Sequence, residues 1–295
     1  MTGHHNLVTG DGSSTSVVIP TYNRWNYLRR ALTSVLNQTC PAHEIVVVDD
    51  GSDEPLNDSF KQSFPDVQFL SQENKGVASA RNLGIHKSSG EWIALLDSDD
   101  EWDPTKLEKQ MAFLETFPQL RAIHTGERWI RNGNEVTPPA YLEKSSDLLW
   151  ERSLRHCLIC PSSVLIHRSV FETVGLFDEE LTVCEDYDFW LRLLLEEDVG
   201  LVDEKLVIKH GGHEDQLSTI TWGMDRFRVM ALQKILSNPA LSNDRRIKAI
   251  EVLHEKCGIL AQGAQKREKL EEAQKYRNLS DQCSAQLEQL TAQLN

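Results

Sequence analysis

The stretch Trp92-Ile-Ala-Leu-Leu-Asp97-Ser98-Asp99-Asp100-Glu101-Trp102-Asp103 joins a short apolar run to a knot of acids. Trp92 to Leu96 reads as a buried strand, because a run this short and this apolar suits the interior of a sheet. The acids that follow then stand at the strand's own end. On extended backbone alternate side chains share a face, so Asp97 and Asp99 are expected on one side and Ser98 on the other. Two carboxylates that close call for a cation between them. Hard ions such as Mg²⁺ and Mn²⁺ take oxygen ligands, and Mg²⁺ commonly uses one or two carboxylates with substrate phosphates. Asp97 and Asp99 therefore suit a divalent ion shared with a diphosphate. A calcium loop is the rival, with Asp97, Asp99, Glu101 and Glu108 at loop positions 1, 3, 5 and 12. It meets Trp102 where such a loop needs Gly. A merely solvated acidic turn is the third reading.

Outward from that stretch, the chain reads as strand and helix in alternation. Ser16 to Pro20 is a strand that Pro20 is expected to stop. Trp25 to Gln38 is an amphipathic helix with Leu28, Ala31, Leu32, Val35 and Leu36 at helical spacing. Glu44 to Val48 is a second buried strand, and Val67 to Leu70 a third. This order predicts an α/β fold in which parallel strands are joined by right-handed crossovers. Ligands of such sheets bind beyond the carboxyl ends of the strands. Thr21-Tyr22-Asn23, Asp49-Asp50-Gly51-Ser52 and Asp97-Ser98-Asp99 all fall there. The loop Asn74-Lys75-Gly76 and a helix carrying Arg81 reach the same rim, with a surface ion pair as the plainer use of Arg81.

Further along, Asp103 and Pro104 are expected to open a helix running through Phe117. Asn132-Gly133 marks a tight turn, and Ser162 to His167 reads as a strand. In Cys184-Glu185-Asp186-Tyr187-Asp188, the acids fit the first turn of a helix, where the macrodipole favours negative charge. One of them can instead act as a general base on an attacking hydroxyl. Lys209 to Ser218 reads as a Gly-hinged polar loop, in which His210 or His213 can touch a metal or a phosphate. From Thr219 onward the pattern is helical. Tyr276, Cys283 and Leu290 recur every seven residues, with Leu287 and Leu294 on the alternate seam. That seam suits either a homodimer contact through the C-terminal helix or a helix docked within the chain.

The bulk numbers narrow the class. The chain has 295 residues, 40% hydrophobic and 26% charged, and a net charge of −14. From residue 241 onward nine Lys/Arg face eight Asp/Glu, so about −15 rests on the first 240 residues. Phosphate-backbone binding needs clustered cations, which argues against nucleic acid as a partner. No apolar run is long enough to span a bilayer, and the first residues lack a basic-then-apolar signal pattern. The expected setting is cytoplasmic, with the six cysteines reduced. Cys157-Leu-Ile-Cys160 lacks the second ligand pair of a structural zinc site.

Five motifs in order, Val17-Val-Ile-Pro-Thr-Tyr-Asn23, Val46-Val-Val-Asp-Asp-Gly-Ser52, Asn74-x-Gly76 with Ala80-Arg-Asn-x-Gly84, Leu96-Asp-Ser-Asp-Asp100 and Glu185-Asp186, resemble the family-2 glycosyltransferases. The resemblance covers roughly residues 15 to 220. It implies an inverting transferase of the GT-A fold, a Rossmann-like mixed sheet flanked by helices, using a nucleotide-diphospho-sugar donor and Mn²⁺ or Mg²⁺. Residues 1–14 would be a leader, 15–220 the catalytic domain and 221–295 a C-terminal helical extension. By the same resemblance Pro20, Thr21, Tyr22, Asn23 and Asp50 hold the nucleoside; Lys75 and Arg81 are the cations that can offset the acidic donor's charge, with Asp97 the further donor-binding residue. Asp97 and Asp99 hold the metal, Asp99 foremost, with His213 as a looser third ligand. Asp186 is the catalytic base. The acceptor class stays open among glycan, lipid-linked and protein hydroxyls. A dinucleotide-dependent oxidoreductase is disfavoured, because Pro-Thr-Tyr-Asn stands where its Gly-x-Gly-x-x-Gly turn belongs. A non-catalytic sugar-nucleotide-binding scaffold, recruiting partners through the terminal helices, is the alternative function.

Overall fold

In the computed structural model, which describes residues 14–144, 147–212 and 223–294, the chain forms a nine-stranded mixed sheet flanked by helices. The parallel half holds β1 (Thr15–Thr21), β2 (Glu44–Asp49), β3 (Val67–Ser71) and β4 (Trp92–Leu95), in the order β3-β2-β1-β4. Helices α1 (Trp25–Leu36), α2 (Asp58–Gln62) and α3 (Val77–Lys87) make the crossovers. The central strands are unbroken apolar runs because both faces are covered. Val17 and Ile19 pack with Leu28, Ala31 and Leu32 of α1, while Val18 joins the cluster on the opposite face.

Four of the remaining strands complete the main path. After β5 (Glu101–Trp102) and α4 (Lys106–Thr116) come β6 (Ala122–Arg131) and β7 (Asn134–Val136), a hairpin closed by Asn132-Gly133 at φ 48° and 77°. Then follow α5 (Leu149–Ser153), β8 (Leu165–His167), α6 (Arg168–Thr173), α7 (Glu185–Glu196) and β9 (Val199–Gly211). β8 pairs antiparallel with β4 and with β6, β9 runs parallel to β6, and β5 closes the order β4-β8-β6-β9-β5. Three helices end the chain: α8 (Asp225–Leu236), α9 (Asn243–Lys266) and α10 (Leu270–Leu294). Their apolar residues join one cluster with α7, and Tyr276 and Cys283 of α10 are buried in it. Those two seam residues are therefore spent inside the chain. Among the described residues no helix is long and apolar enough to cross a membrane.

Several expectations are corrected. Pro20 does not stop β1, which runs on to Thr21. The β1–β4 ladder has already ended at Val18 and Leu95, so no neighbouring strand needs the N–H that Pro20 lacks. Asp97 to Asp100 is a turn rather than extended backbone, with the Asp100 amide donating to the Asp97 carbonyl at 3.0 Å. The alternation expected of Asp97, Ser98 and Asp99 therefore does not apply. α4 begins at Lys106, because the Asp103 carboxylate accepts from the Thr105 amide at 3.0 Å and turns the chain first. Ser162 lies in a single 3₁₀ turn, Pro161–Ser163, ahead of β8. Lys209 to Gly211 is not loop but the end of β9, while His213 and the rest of the expected loop to Ser218 lie outside the described residues. Among the described residues no disulfide joins the six cysteines.

Candidate active site

The turn after β4 and the start of α7 meet around one guanidinium carried by α3. Arg81, on the first turns of α3, donates Nη1 to Glu185 Oε1 at 2.5 Å and Nη2 to Asp97 Oδ1 at 2.6 Å. Its side chain is 4% exposed, so two acids have drawn a charge into the interior. Burial opposes that charge, but Asp97, Glu185 and, further off, Asp186 hold the guanidinium well above its ordinary value. α3 lies this close to the sheet because Gly84 has no side chain: a Cβ there would run into Val18.

The acidic turn is braced on its other side by α1. Arg24 Nη1 donates to Asp99 Oδ2 at 2.8 Å, and Arg30 Nη2 to the Asp99 carbonyl at 2.6 Å. Asp100 faces inward, where Ser162 Oγ at 2.6 Å and the His210 amide at 3.1 Å donate to its carboxylate. Burial, with Asp99 beside it, pushes the Asp100 carboxyl well above the usual range. The His210 ring meets Glu101 Oε1 at 2.5 Å, so its Nε2 is engaged at the edge of the turn. Burial and the nearby Arg30 push this imidazole below its ordinary value.

The nucleoside candidates are organised by two stitched loops. Asn23 adopts φ 53°, its amide N–H donates to Ser52 Oγ at 2.8 Å, and its side chain exchanges bonds with Asp53. Asp50 accepts from Gln72 Nε2 at 2.7 Å and from the amides of Lys75 at 2.9 Å and Gly76 at 2.8 Å. Gly51, at φ 75°, lets that loop close, since a Cβ there would stand 2.6 Å from the Asn74 nitrogen. Asn23 and Asp50 thus shape the rim with their own polar groups. Tyr22 and the Lys75 side chain are exposed beside it, while Pro20 and Thr21 are buried under it.

Asp186 follows Glu185 on the opening turn of α7, behind a Cys184 held at φ 61°. Its Oδ1 accepts from the Tyr187 amide at 2.7 Å, and its Oδ2 lies 3.3 Å from Cys157 Sγ, the donor. Glu185 and Asp97 share Arg81, so Asp186 stands one residue from a group bound to the acidic turn. Arg24, Ser162, Cys157 and the bridging role of Glu185 were not read from the sequence. Arg24 directly follows the Pro-Thr-Tyr-Asn run and carried a positional signal, whereas the Cys-x-x-Cys pair holding Cys157 and the strand pattern at Ser162 carried no signal for contact with Asp186 or Asp100.

Among the described residues no group of three or more His, Cys, Asp or Glu side chains is arranged to hold a metal. Asp97 and Asp99 offer hard oxygens on one turn, which fits an ion that completes its coordination with diphosphate oxygens rather than a full protein cage.

Residues 16–175 match the family model described as "Glycosyl transferase family 2". An uncharacterized glycosyltransferase of Rickettsia typhi is 34% identical over 207 residues, covering 68% of this chain and 64% of that protein. A putative teichuronic acid biosynthesis glycosyltransferase of Bacillus subtilis, TuaG, is 29% identical over 184 residues, 61% of this chain and 71% of that one. The chain spans between 28% and 64% of the length of the Rickettsia relatives it matches. Among solved structures, S. aureus TarS 1-349 in complex with UDP-GlcNAc superposes with a TM-score of 0.65 at 16% identity, covering 91% of this chain and 90% of that one. At that identity the likeness speaks for the fold, a GT-A sheet.

Proposed function

Because the chain belongs to glycosyl transferase family 2, we propose that it moves a sugar from a nucleotide-diphosphate donor to an acceptor hydroxyl with inversion at the anomeric carbon. The observation that carries this reading is the double ion pair of Arg81, which gathers the acidic turn after β4 and the start of α7 around one charge. Donor-side and acceptor-side groups are then neighbours although 89 residues separate Asp97 from Asp186.

Asp186 is the base that takes the proton of the acceptor hydroxyl as that oxygen attacks. The Tyr187 amide and the Cys157 thiol keep its carboxylate oriented. Arg81 and Arg24 set positive charge beside the departing diphosphate, where negative charge grows as the sugar–phosphate bond breaks. Asp97 and Asp99 would hold Mn²⁺ or Mg²⁺, which when bound supplies further neutralisation of that charge. The sugar passes through an oxocarbenium-like state between leaving diphosphate and entering oxygen, and a single in-line displacement inverts it. The rim formed by Pro20 to Asn23, Asp50 and Lys75 borders the nucleoside. The resemblance to TuaG favours cell-surface polysaccharide as the product.

A donor screen tests this reading. UDP-, GDP- and dTDP-sugars are added with Mn²⁺, and both thermal shift and release of the nucleoside diphosphate are followed. One donor series should stabilise the protein and be slowly hydrolysed. Stabilisation with no hydrolysis and no transfer would instead favour a sugar-nucleotide-binding scaffold.

A further inference from the structure

The acidic turn after β4 is gripped by a segment that the donor reading leaves unused, the 3₁₀ turn Pro161–Ser163. Ser162 is fully buried, and its hydroxyl spans the acidic turn from one end to the other. Oγ accepts from the Asp97 amide at 3.1 Å and donates to Asp100 Oδ2 at 2.6 Å. A backbone bond, from the Asp100 amide to the Asp97 carbonyl, joins the same two residues. Asp100 Oδ1 accepts from the His210 amide of β9 at 3.1 Å, so the far end of the bridge is anchored to the sheet.

The 3₁₀ turn is itself fixed from behind by β5 and α4. The Ser162 carbonyl accepts from the Trp102 indole N–H at 2.7 Å, and the Ser163 carbonyl from Gln110 Nε2 at 3.0 Å. Lys106 Nζ donates to Gln110 Oε1 at 2.8 Å and lies 3.9 Å from the centre of the Trp102 ring. Lys106 and Gln110 are fully buried, and burial pushes the Lys106 amine well below its ordinary value. Polar groups in a core are costly unless bonded. Apolar side chains would fill the same space, but they could not fix the direction of two carbonyls. The position of Ser162 Oγ is therefore set by partners that never reach the acidic turn.

We propose that Ser162 is a positioning residue: by bridging the Asp97 amide and the Asp100 carboxylate it fixes how the turn presents the Asp97 and Asp99 carboxylates, and so how tightly a divalent ion is held with the donor's diphosphate. A hydroxyl suits the place because it accepts and donates at once. Alanine would leave the Asp97 N–H unpaired and Asp100 Oδ2 with only the Cys160 thiol, at 4.0 Å, among the described residues. The inference rests on the transferase reading, with its ion at Asp97 and Asp99, and adds to it a residue that acts through the turn rather than on the donor.

Calorimetry of the full chain with UDP, GDP and dTDP, with and without Mn²⁺, tests it. In the wild type Mn²⁺ should tighten binding of the nucleotide that fits. Ser162→Ala should weaken the Mn²⁺-dependent part by about tenfold and leave the affinity without Mn²⁺ unchanged. Ser163→Ala is the matched control, since Ser163 is as buried as Ser162 but donates to the Cys160 carbonyl at 2.7 Å, inside its own turn. Both variants should have a lower midpoint in urea, yet Ser163→Ala should keep the wild-type response to Mn²⁺. Ser162→Cys, with a thiol's weaker bonds in the same place, should fall between serine and alanine, and it carries the test where the alanine variant does not fold. A wild-type Mn²⁺ response in the Ser162 variants, or equal loss in Ser162→Ala and Ser163→Ala, overturns the proposal and leaves the transferase reading standing. Wild-type protein that binds no nucleotide sinks the transferase reading, and one that binds it equally with and without Mn²⁺ sinks the metal assignment; each takes the proposal with it.

Discussion

At the scale of single residues, Asp186 is set apart from the other acids of α7 by what surrounds it. Asp188 is locked by Arg192 at 2.8 Å and by Lys234 at 3.1 Å, and Glu185 is locked by Arg81. Among the described residues Asp186 accepts only from a backbone amide and a thiol, both weaker partners than a cation, and it lines a cavity of about 480 Å³. Asp186→Asn is expected to slow transfer by about 10²–10⁴ while the UDP-induced thermal shift stays at its wild-type value. Undiminished turnover in that variant rules out the base assignment. Asp99→Ala is expected to remove the Mn²⁺-dependent part of nucleotide binding, followed by calorimetry with and without the ion. Wild-type affinity under both conditions would reject Asp99 as a ligand. Arg24 then loses the carboxylate it contacts, while the metal-independent contacts of the rim remain.

At the scale of elements, close approach of α3 to β1 and β2 is what puts Arg81 in reach of Asp97. Gly84→Ala should therefore cost about 1–3 kcal/mol by overpacking, seen as a lower midpoint in urea, together with weaker nucleotide binding as the helix is pushed outward. An unchanged midpoint would show that Val18 can yield. The same level separates what the sequence displayed from what it hid. β1, α1, β2 and β4 were legible because buried apolar runs and 3.6-residue spacing are local signals. β9 was not: Val199 to Gly211 mixes Asp203, Glu204, Lys205, Lys209 and His210 with its apolar residues. Its pairing with β6 also slips on both sides of Gly126. A bulged strand with charged residues looks like loop until its partner is known. The turn at Asp97 to Asp100 was misread for the converse reason, since its fate is set by Ser162 and His210, which hold Asp100 from distant segments. Residue types at the candidate site, and with them the Arg81 contacts, were thus carried by motifs, whereas the bonds of Ser162 to Asp100 and of Cys157 to Asp186 come from outside them.

At the scale of the whole molecule, the sheet and the terminal helices share a hydrophobic cluster, and stability should respond to pH as one unit. His124, fully buried on β6, has neither ring nitrogen hydrogen-bonded to a described residue, and burial with Lys144 nearby pushes its pKa down to about 3. Burial alone would raise Glu127, but Lys144 and Lys209 outweigh it and hold the carboxyl at about 2. Both folded values lie below the unfolded ones, so the unfolded chain binds more protons as pH falls. The His124 contribution is complete above pH 6.5 and is lost toward pH 3, and that of Glu127 is complete above 4.5 and lost toward 2. Each proton adds a slope of about 1.4 kcal/mol per pH unit. Urea melts at pH 7 and pH 5 should show stability falling on acidification, and His124→Leu should lessen that fall by roughly one proton's worth. An identical pH dependence in the variant would place the sensitivity elsewhere. Arg81 has a different consequence for the molecule entire. Of its five N–H donors two are given to carboxylates, so phosphate oxygens that met the others, as the transferase reading has it, would draw on a charge those carboxylates share. On that reading donor arrival would redistribute counter-charge between α7 and the turn after β4, so occupancy of the nucleotide side would be felt at the helix that carries Asp186.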